Sequence, residues 1–173
     1  SIIGGDLLDA IRLGEGKAVV YVADAMGHGV PAALLMSVVS TAFRVAVTQS
    51  QGYGLPNPGA LLTEVNRTVM DLFDMNYVTA ACGVVDTSTN RLILSLAGHP
   101  PALVVRKGSG ELVEVPSCGI PLGIEEDSTY ESTEVPFDVG DELLLYTDGV
   151  IEAPRGDGER YGLDMLKAFL GQW

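Results

Sequence analysis

Asp24-Ala25-Met26-Gly27-His28-Gly29-Val30-Pro31 joins two stretches of opposite character, and its reading decides the fold. Before it, Ala18-Val19-Val20-Tyr21-Val22-Ala23 is a continuous apolar run of strand length. After it, residues 32–47 place Leu34, Leu35, Val38, Val39, Ala42, Val45 and Ala46 at helical spacing. Pro31 suits a first helical turn, where its missing N–H is not needed. The stretch is therefore a strand-to-helix turn with a carboxylate at the strand's last residue. Two readings of Asp24 stand at this point. It can accept amides at the helix N-terminus. Alternatively, because Gly27 and Gly29 lack a Cβ, it can sit where a metal, a phosphate or another main chain approaches closely.

Working outward, residues 7–13 alternate loosely and read as a strand, and Gly14-Glu15-Gly16-Lys17 turns it into the 18–23 strand as a hairpin. That Gly-x-Gly-Lys is no phosphate loop: it lacks the longer frame and the hydroxyl residue after Lys, and it lies between strands. Residues 49–59 are rich in Gly, Pro and Asn and read as a loop; Pro58 opens a second helix ending near Asp74-Met75-Asn76. Strands follow at 77–85, 91–97, 102–106, 111–115, 130–135 and 142–147, joined by short polar or Gly/Pro turns, with a last helix over 163–170. Two adjacent helices among many hairpin-linked strands give an α+β fold with antiparallel sheets and helices on the outer faces.

The chain has 173 residues, 47% of them hydrophobic, enough for one domain with a real core and too many for disorder. Ten basic against 23 acidic residues give a formal charge of −13, which excludes a nucleic-acid footprint and does not favour anionic membrane surfaces. The longest apolar runs fall short of the ~20 residues of a membrane span, and no signal peptide is visible. Cys82 and Cys118 have no metal-ligand spacing; Cys82 reads as a core residue, and nothing requires an oxidising compartment.

Asp6, Asp24 and Asp148 share one property: each lies at a strand edge beside glycine. If they meet at one end of neighbouring strands they repel one another unless a cation neutralises them, and hard carboxylate oxygens suit Mg2+ or Mn2+. Three unrelated turn aspartates would look the same in sequence.

Gly4-Gly5-Asp6-Leu7-Leu8-Asp9 and the run from Asp24 to Met36 resemble the SpoIIE/RsbU branch of the metal-dependent, protein phosphatase 2C-like (PPM) serine/threonine phosphatases. Tyr77-Val78-Thr79-Ala80, Ala97-Gly98-His99-Pro100-Pro101, Gly119-Ile120-Pro121-Leu122-Gly123 and the run from Leu145 to Ala153 extend the resemblance, in family order, over almost the whole chain. The resemblance implies two antiparallel β-sheets packed as a sandwich with helices outside (α-β-β-α), and two divalent cations, Mn2+ or Mg2+, at one end. It implies that Asp24 bridges the metals, that the Ala25 carbonyl and Asp148 bind one of them, and that Asp6 serves the second, with Asp9 as a possible outer member. Metal-activated water then hydrolyses phosphoserine or phosphothreonine, and no protein nucleophile is needed. His28 reads as a packed residue or as a phosphate contact or proton donor, and His99 as structural. The resemblance further implies a bacterial, cytoplasmic signalling protein whose substrate is a phosphorylated anti-sigma-factor antagonist in a partner-switching system. An N-terminal sensor or receiver domain would regulate it. The family pattern has a further strand before Gly4 and a further aspartate in a C-terminal strand, so residues 1–173 read as one domain trimmed at both ends. The alternatives are a pseudophosphatase that binds a partner without turnover and a Mg2+-dependent hydrolase of small phosphate esters. Asn66-Arg67-Thr68 fits a glycosylation acceptor but lies in a helix pattern, and Arg155-Gly156-Asp157 reads as a loop tripeptide.

Overall fold

A computed structural model of the chain describes residues 4–50, 52, 54–72, 76–156 and 158–172. In chain order these form β1 (Asp6–Gly14), β2 (Lys17–Ala25), α1 (Val30–Ser50), α2 (Pro58–Leu72), β3 (Val78–Asp86) and β4 (Arg91–Ala97). There follow β5 (Ala102–Val105), β6 (Leu112–Val115), β7 (Thr133–Pro136), β8 (Glu142–Leu144), α3 (Asp148–Ile151) and α4 (Gly162–Leu170). The strands make a five-stranded sheet, β1-β2-β3-β4-β7, and a three-stranded sheet, β6-β5-β8, with antiparallel pairing throughout.

Strand alternation sorts the apolar residues into three layers of contact. Val19, Tyr21, Ala23 and Ala25 of β2 point to the helices, where they meet Leu35, Val39 and Phe43 of α1 and Leu62, Val65 and Val69 of α2. Tyr21 and Phe43 stack with centroids 4.0 Å apart. On the opposite face Leu92, Leu94 and Leu96 of β4 pack against Ala102, Val104 and Val115 of the smaller sheet. Beyond it, Leu103, Val105 and Tyr146 hold Leu166 and Leu170 of α4. The order is helix, sheet, sheet, helix, as the resemblance implies.

Several boundaries differ from the sequence reading for identifiable reasons. The strand expected over 142–147 pairs only through Leu144, opposite Leu103. Continuing that register would set Tyr146 and Thr147 against Pro101 and Pro100, which have no N–H to offer. Asp148 consequently opens a short helix instead of closing a strand. The strand expected from residue 130 begins at Thr133, because the Glu131 carbonyl accepts from Ser95 Oγ at 2.7 Å. The expected end of α2 falls mostly on residues 73–75, outside the described residues. α1 runs 21 residues and, by length and composition, passes a test for a membrane span that buried core helices also pass. Here its Leu35, Met36, Val39, Phe43 and Val47 are buried in the core.

Asn66, on α2, is fully buried, which excludes it as a glycosylation acceptor in the folded chain. Its Nδ2 donates to the carbonyls of Glu125 (2.8 Å) and Glu126 (3.2 Å), and its Oδ1 accepts from Gly123 N (2.8 Å). It clamps the loop whose Leu122 bridges to Val78, beside the candidate site. Asn66→Ala leaves these main-chain groups unpaired, and we expect a loss of about 2–4 kcal/mol. Thermal unfolding should then fall by roughly 5–10 °C.

Candidate metal centre

The β1–β2 register sets Asp6 opposite Asp24, and the β2–β3 register sets Asp24 opposite Thr79. Their strand neighbours Ala23, Ala25, Val78 and Ala80 belong to the helix-side core, so this row of three lies on the face toward the smaller sheet. The third carboxylate arrives from that other sheet, at Asp148 just past β8. Thr147 Oγ1 donates to Asp6 Oδ2 at 3.1 Å and ties the two sheet ends together. The structure thus pairs Asp6 with Asp24 and brings Asp148 near enough to act on Asp24 through its charge.

Burial first, then a hydrogen bond with Asp6, then the charges of Asp6 and Asp148 push the Asp24 carboxyl up to about 7. All four influences act in one direction, which is the signature of a carboxylate cluster lacking positive charge. Among the described residues no group of three or more His, Cys, Asp or Glu side chains is gathered closely enough to hold a metal ion. Asp6 and Asp24 form the close pair, and Asp148 acts on Asp24 through its charge. The donor set fits a hard divalent cation: anionic oxygens from both sheets and the main-chain carbonyl of Ala25 beside them.

Gly5 leaves room beside that carbonyl. Ala25 N donates to Gly5 O at 3.0 Å. A Cβ on Gly5 would stand 2.9 Å from the Ala25 oxygen and 3.4 Å from Asp24 Oδ1. Close approach of another main chain, one of the readings offered for Gly27 and Gly29, occurs here at Gly5. A Cβ at either of those two would meet nothing within 4 Å, and their positive φ of 94° and 84° is what calls for glycine. His28 is exposed on that turn. Asp9 is not an outer member of the cluster. Three residues along β1 from Asp6, it faces the helices, where it accepts from Tyr21 Oη at 3.0 Å and pairs with Arg44 Nη2 at 2.5 Å.

His99 is buried, with Nδ1 2.9 Å from Thr79 Oγ1. Burial pulls its pKa down to about 4, against the opposing pull of the Tyr146 carbonyl, Asp148 and Asp6. That carbonyl is near enough to favour a protonated ring, yet Nε2 completes no well-formed hydrogen bond. Cys82 is fully buried, which pushes its thiol up and suits a core residue; Cys118 is exposed. Sequence reasoning about single residues missed Gly5, Thr79 and Thr147. The last two lie inside family-like stretches, where their hydroxyls were the available signal.

The Asp24 shift has a testable sign. The folded chain holds this proton up to about pH 7, whereas the unfolded chain releases it near the ordinary 3.8. The stability contributed by the protonated group is fully present below about pH 4 and lost as pH rises through about 7. In chelator, wild-type stability should fall by roughly 2 kcal/mol relative to Asp24→Asn across that window, a figure reduced for partial exposure. Denaturant melts at pH 5 and pH 8 read it directly.

A model of the Stage II sporulation protein E (SpoIIE) family matches residues 14–172. The chain belongs to the SpoIIE family. Its SpoIIE-family relatives include the phosphoserine phosphatase RsbP of Bacillus subtilis (strain 168), 31% identical over 172 residues, covering 96% of this chain and 40% of RsbP. The phosphoserine phosphatase RsbU of the same organism is 27% identical over 150 residues, covering 85% of this chain and 43% of RsbU. The chain spans about two fifths of the length of these relatives. Among solved structures, the RsbU and RsbW domains of Rv1364c from Mycobacterium tuberculosis align with a TM-score of 0.79 at 32% identity, over 98% of this chain and 44% of that one. The SiaA-PP2C domain of Pseudomonas aeruginosa aligns at 0.83 and 24% identity, over 98% of this chain and 66% of that one, a likeness of fold. The SpoIIE-type, PP2C-like sandwich expected from the motifs is the fold found.

Proposed function

We propose that this chain is a metal-dependent protein serine/threonine phosphatase domain. The observation that carries the reading is the row Asp6, Asp24 and Thr79 on one sheet, met by Thr147 and Asp148 from the other, with Asp24 pushed up to about 7. Asp6, Asp24, Asp148 and the Ala25 carbonyl would hold the cations, two Mn2+ or Mg2+ by family resemblance. Such ions supply an acidified water at neutral pH and positive charge for the phosphoryl oxygens. The chain's own residues do the rest. The β1–β2 register fixes Asp6 against Asp24, Gly5 leaves room for the Ala25 carbonyl, and Thr147 orients Asp6. Cys82 is too buried to act as a nucleophile.

The substrate class is phosphoserine or phosphothreonine on a regulatory protein. The names of RsbP and RsbU as phosphoserine phosphatases support this. An anti-sigma-factor antagonist, acting with a sensor or receiver domain in the cytoplasm, is the reading that family resemblance favours. We take residues 1–173 as one such domain to which further strands can add. Leu8, on β1 and on the same face as Asp6, is 77% exposed, and among the described residues β8 pairs only with β5. The test is therefore made on the full-length protein: Mn2+-dependent phosphate release from a phosphoserine protein and from a small aryl phosphate. Chelator-sensitive release with higher kcat/KM on the protein substrate is expected. Preference for the small ester would shift the assignment to a small-molecule phosphohydrolase. Partner binding without turnover would make the chain a pseudophosphatase.

A further inference from the structure

The Asp24 row and Asp148 belong to different sheets, so their separation depends on what stands between the sheets at this end. Thr147 to Asp6 is one tie. His99 is placed to be a second. It lies in the crossover from β4, in the larger sheet, to β5, in the smaller one. On one side its Nδ1 meets Thr79, the residue paired with Asp24. On the other it faces the main-chain carbonyl of Tyr146, two residues before Asp148. Its own backbone is fixed from below. Gly98 has φ +60°, bridges to Ala80, and lies so close to Pro121 that a Cβ would come within 2.7 Å of that ring.

A histidine that merely filled the core would be an expensive choice. It is 99% buried yet leaves Nε2 without a completed hydrogen bond, which weakens the fold. A leucine would fill similar space without that cost. A buried group left partly unsatisfied beside a carboxylate cluster points to a role in the cluster.

Resting on the metal-centre reading above, we propose that His99 is a positioning residue. Held by Thr79 and lying against the Tyr146 main chain without a completed bond to it, it sets the spacing of Asp24 and Asp148 and thereby the affinity of the site for divalent cations. It does so without touching the cations or the substrate.

The test is Mn2+ binding by titration calorimetry on the full-length protein, with thermal melts alongside. Thr79→Val keeps the side-chain shape and removes the bond to His99; His99→Leu removes the same bond from the other side. Each should weaken Mn2+ binding about 10- to 100-fold, the range seen when a group that orients a metal ligand is lost. The double variant should be no weaker than either single one, because the pair acts as a unit. Thr79→Ser should bind within about threefold of wild type. Should His99→Leu fail to fold, Thr79→Val against Thr79→Ser decides alone. Unchanged Mn2+ affinity in Thr79→Val, with or without a lower melting temperature, would overturn the proposal while leaving the metal centre standing. So would additive losses in the double variant. A wild-type protein that binds no Mn2+ would overturn the metal centre and this inference together.

Discussion

Asp24→Asn is expected to lower metal-dependent phosphate release by about 1,000-fold or more while leaving the protein folded. The substitution is nearly isosteric, so the register that sets residue 24 opposite Asp6 and Thr79 is preserved. What is lost is the anionic oxygen at the one position flanked by both other carboxylates. An amide oxygen is a far poorer ligand for a hard cation. The same change removes the buried charge, and with it the like-charge repulsion, that together drive Asp24 up, so the variant should be more stable than wild type in chelator above pH 7. Loss of activity together with gain of metal-free stability is a combination that unfolding cannot produce. A variant with near-normal, chelator-sensitive release would remove Asp24 from the proposed centre.

Gly5→Ala is expected to reduce kcat/KM about 10- to 100-fold through main-chain displacement alone. The new methyl would stand 2.9 Å from the Ala25 oxygen, a distance at which backbone has to move, and there is no flexible side chain to give way. β1 would retreat, stretching the 3.0 Å bond from Ala25 N to Gly5 O, or the Ala25 carbonyl would rotate away from Asp24. Either shift disturbs an oxygen that the proposed site uses. The cost to folding is small by comparison, because Gly5 lies just before β1 and has no positive φ to lose. A normal Mn2+ requirement and normal turnover in this variant would show that the Ala25 carbonyl is not a ligand. Its melting temperature should move by only a few degrees.

Much of the fold could be read from the sequence because its signals are local. The apolar run over 18–23, the helical stripe after Pro31, and the Gly-Glu-Gly-Lys turn each specify an element through backbone preference and periodicity. The carboxylates were legible one at a time for the same reason, since in sequence each lies near glycine and reads as a strand-edge residue, although Asp148 in fact opens α3. Their convergence was not, because it depends on strand register and on a contact between sheets. Neither Asp6↔Asp24 nor Thr147 to Asp6 leaves a trace in spacing; the family resemblance joined the aspartates beforehand, and nothing joined Thr147. Asp9 shows the limit of proximity in sequence. Three residues from Asp6, it lies on the opposite face of the same strand, and Arg44 and Tyr21 claim it there. The end of β8 shows another limit, since Pro100 and Pro101 cut it short from a different part of the chain.

The most direct test of the central claim follows Mn2+ binding and phosphate release together, in full-length wild type and in Asp24→Asn. The account predicts that wild type binds Mn2+, that release from a phosphoserine protein rises over the same Mn2+ range and stops with chelator, and that Asp24→Asn loses both. Release that persists in chelator, or that survives in Asp24→Asn, would contradict it.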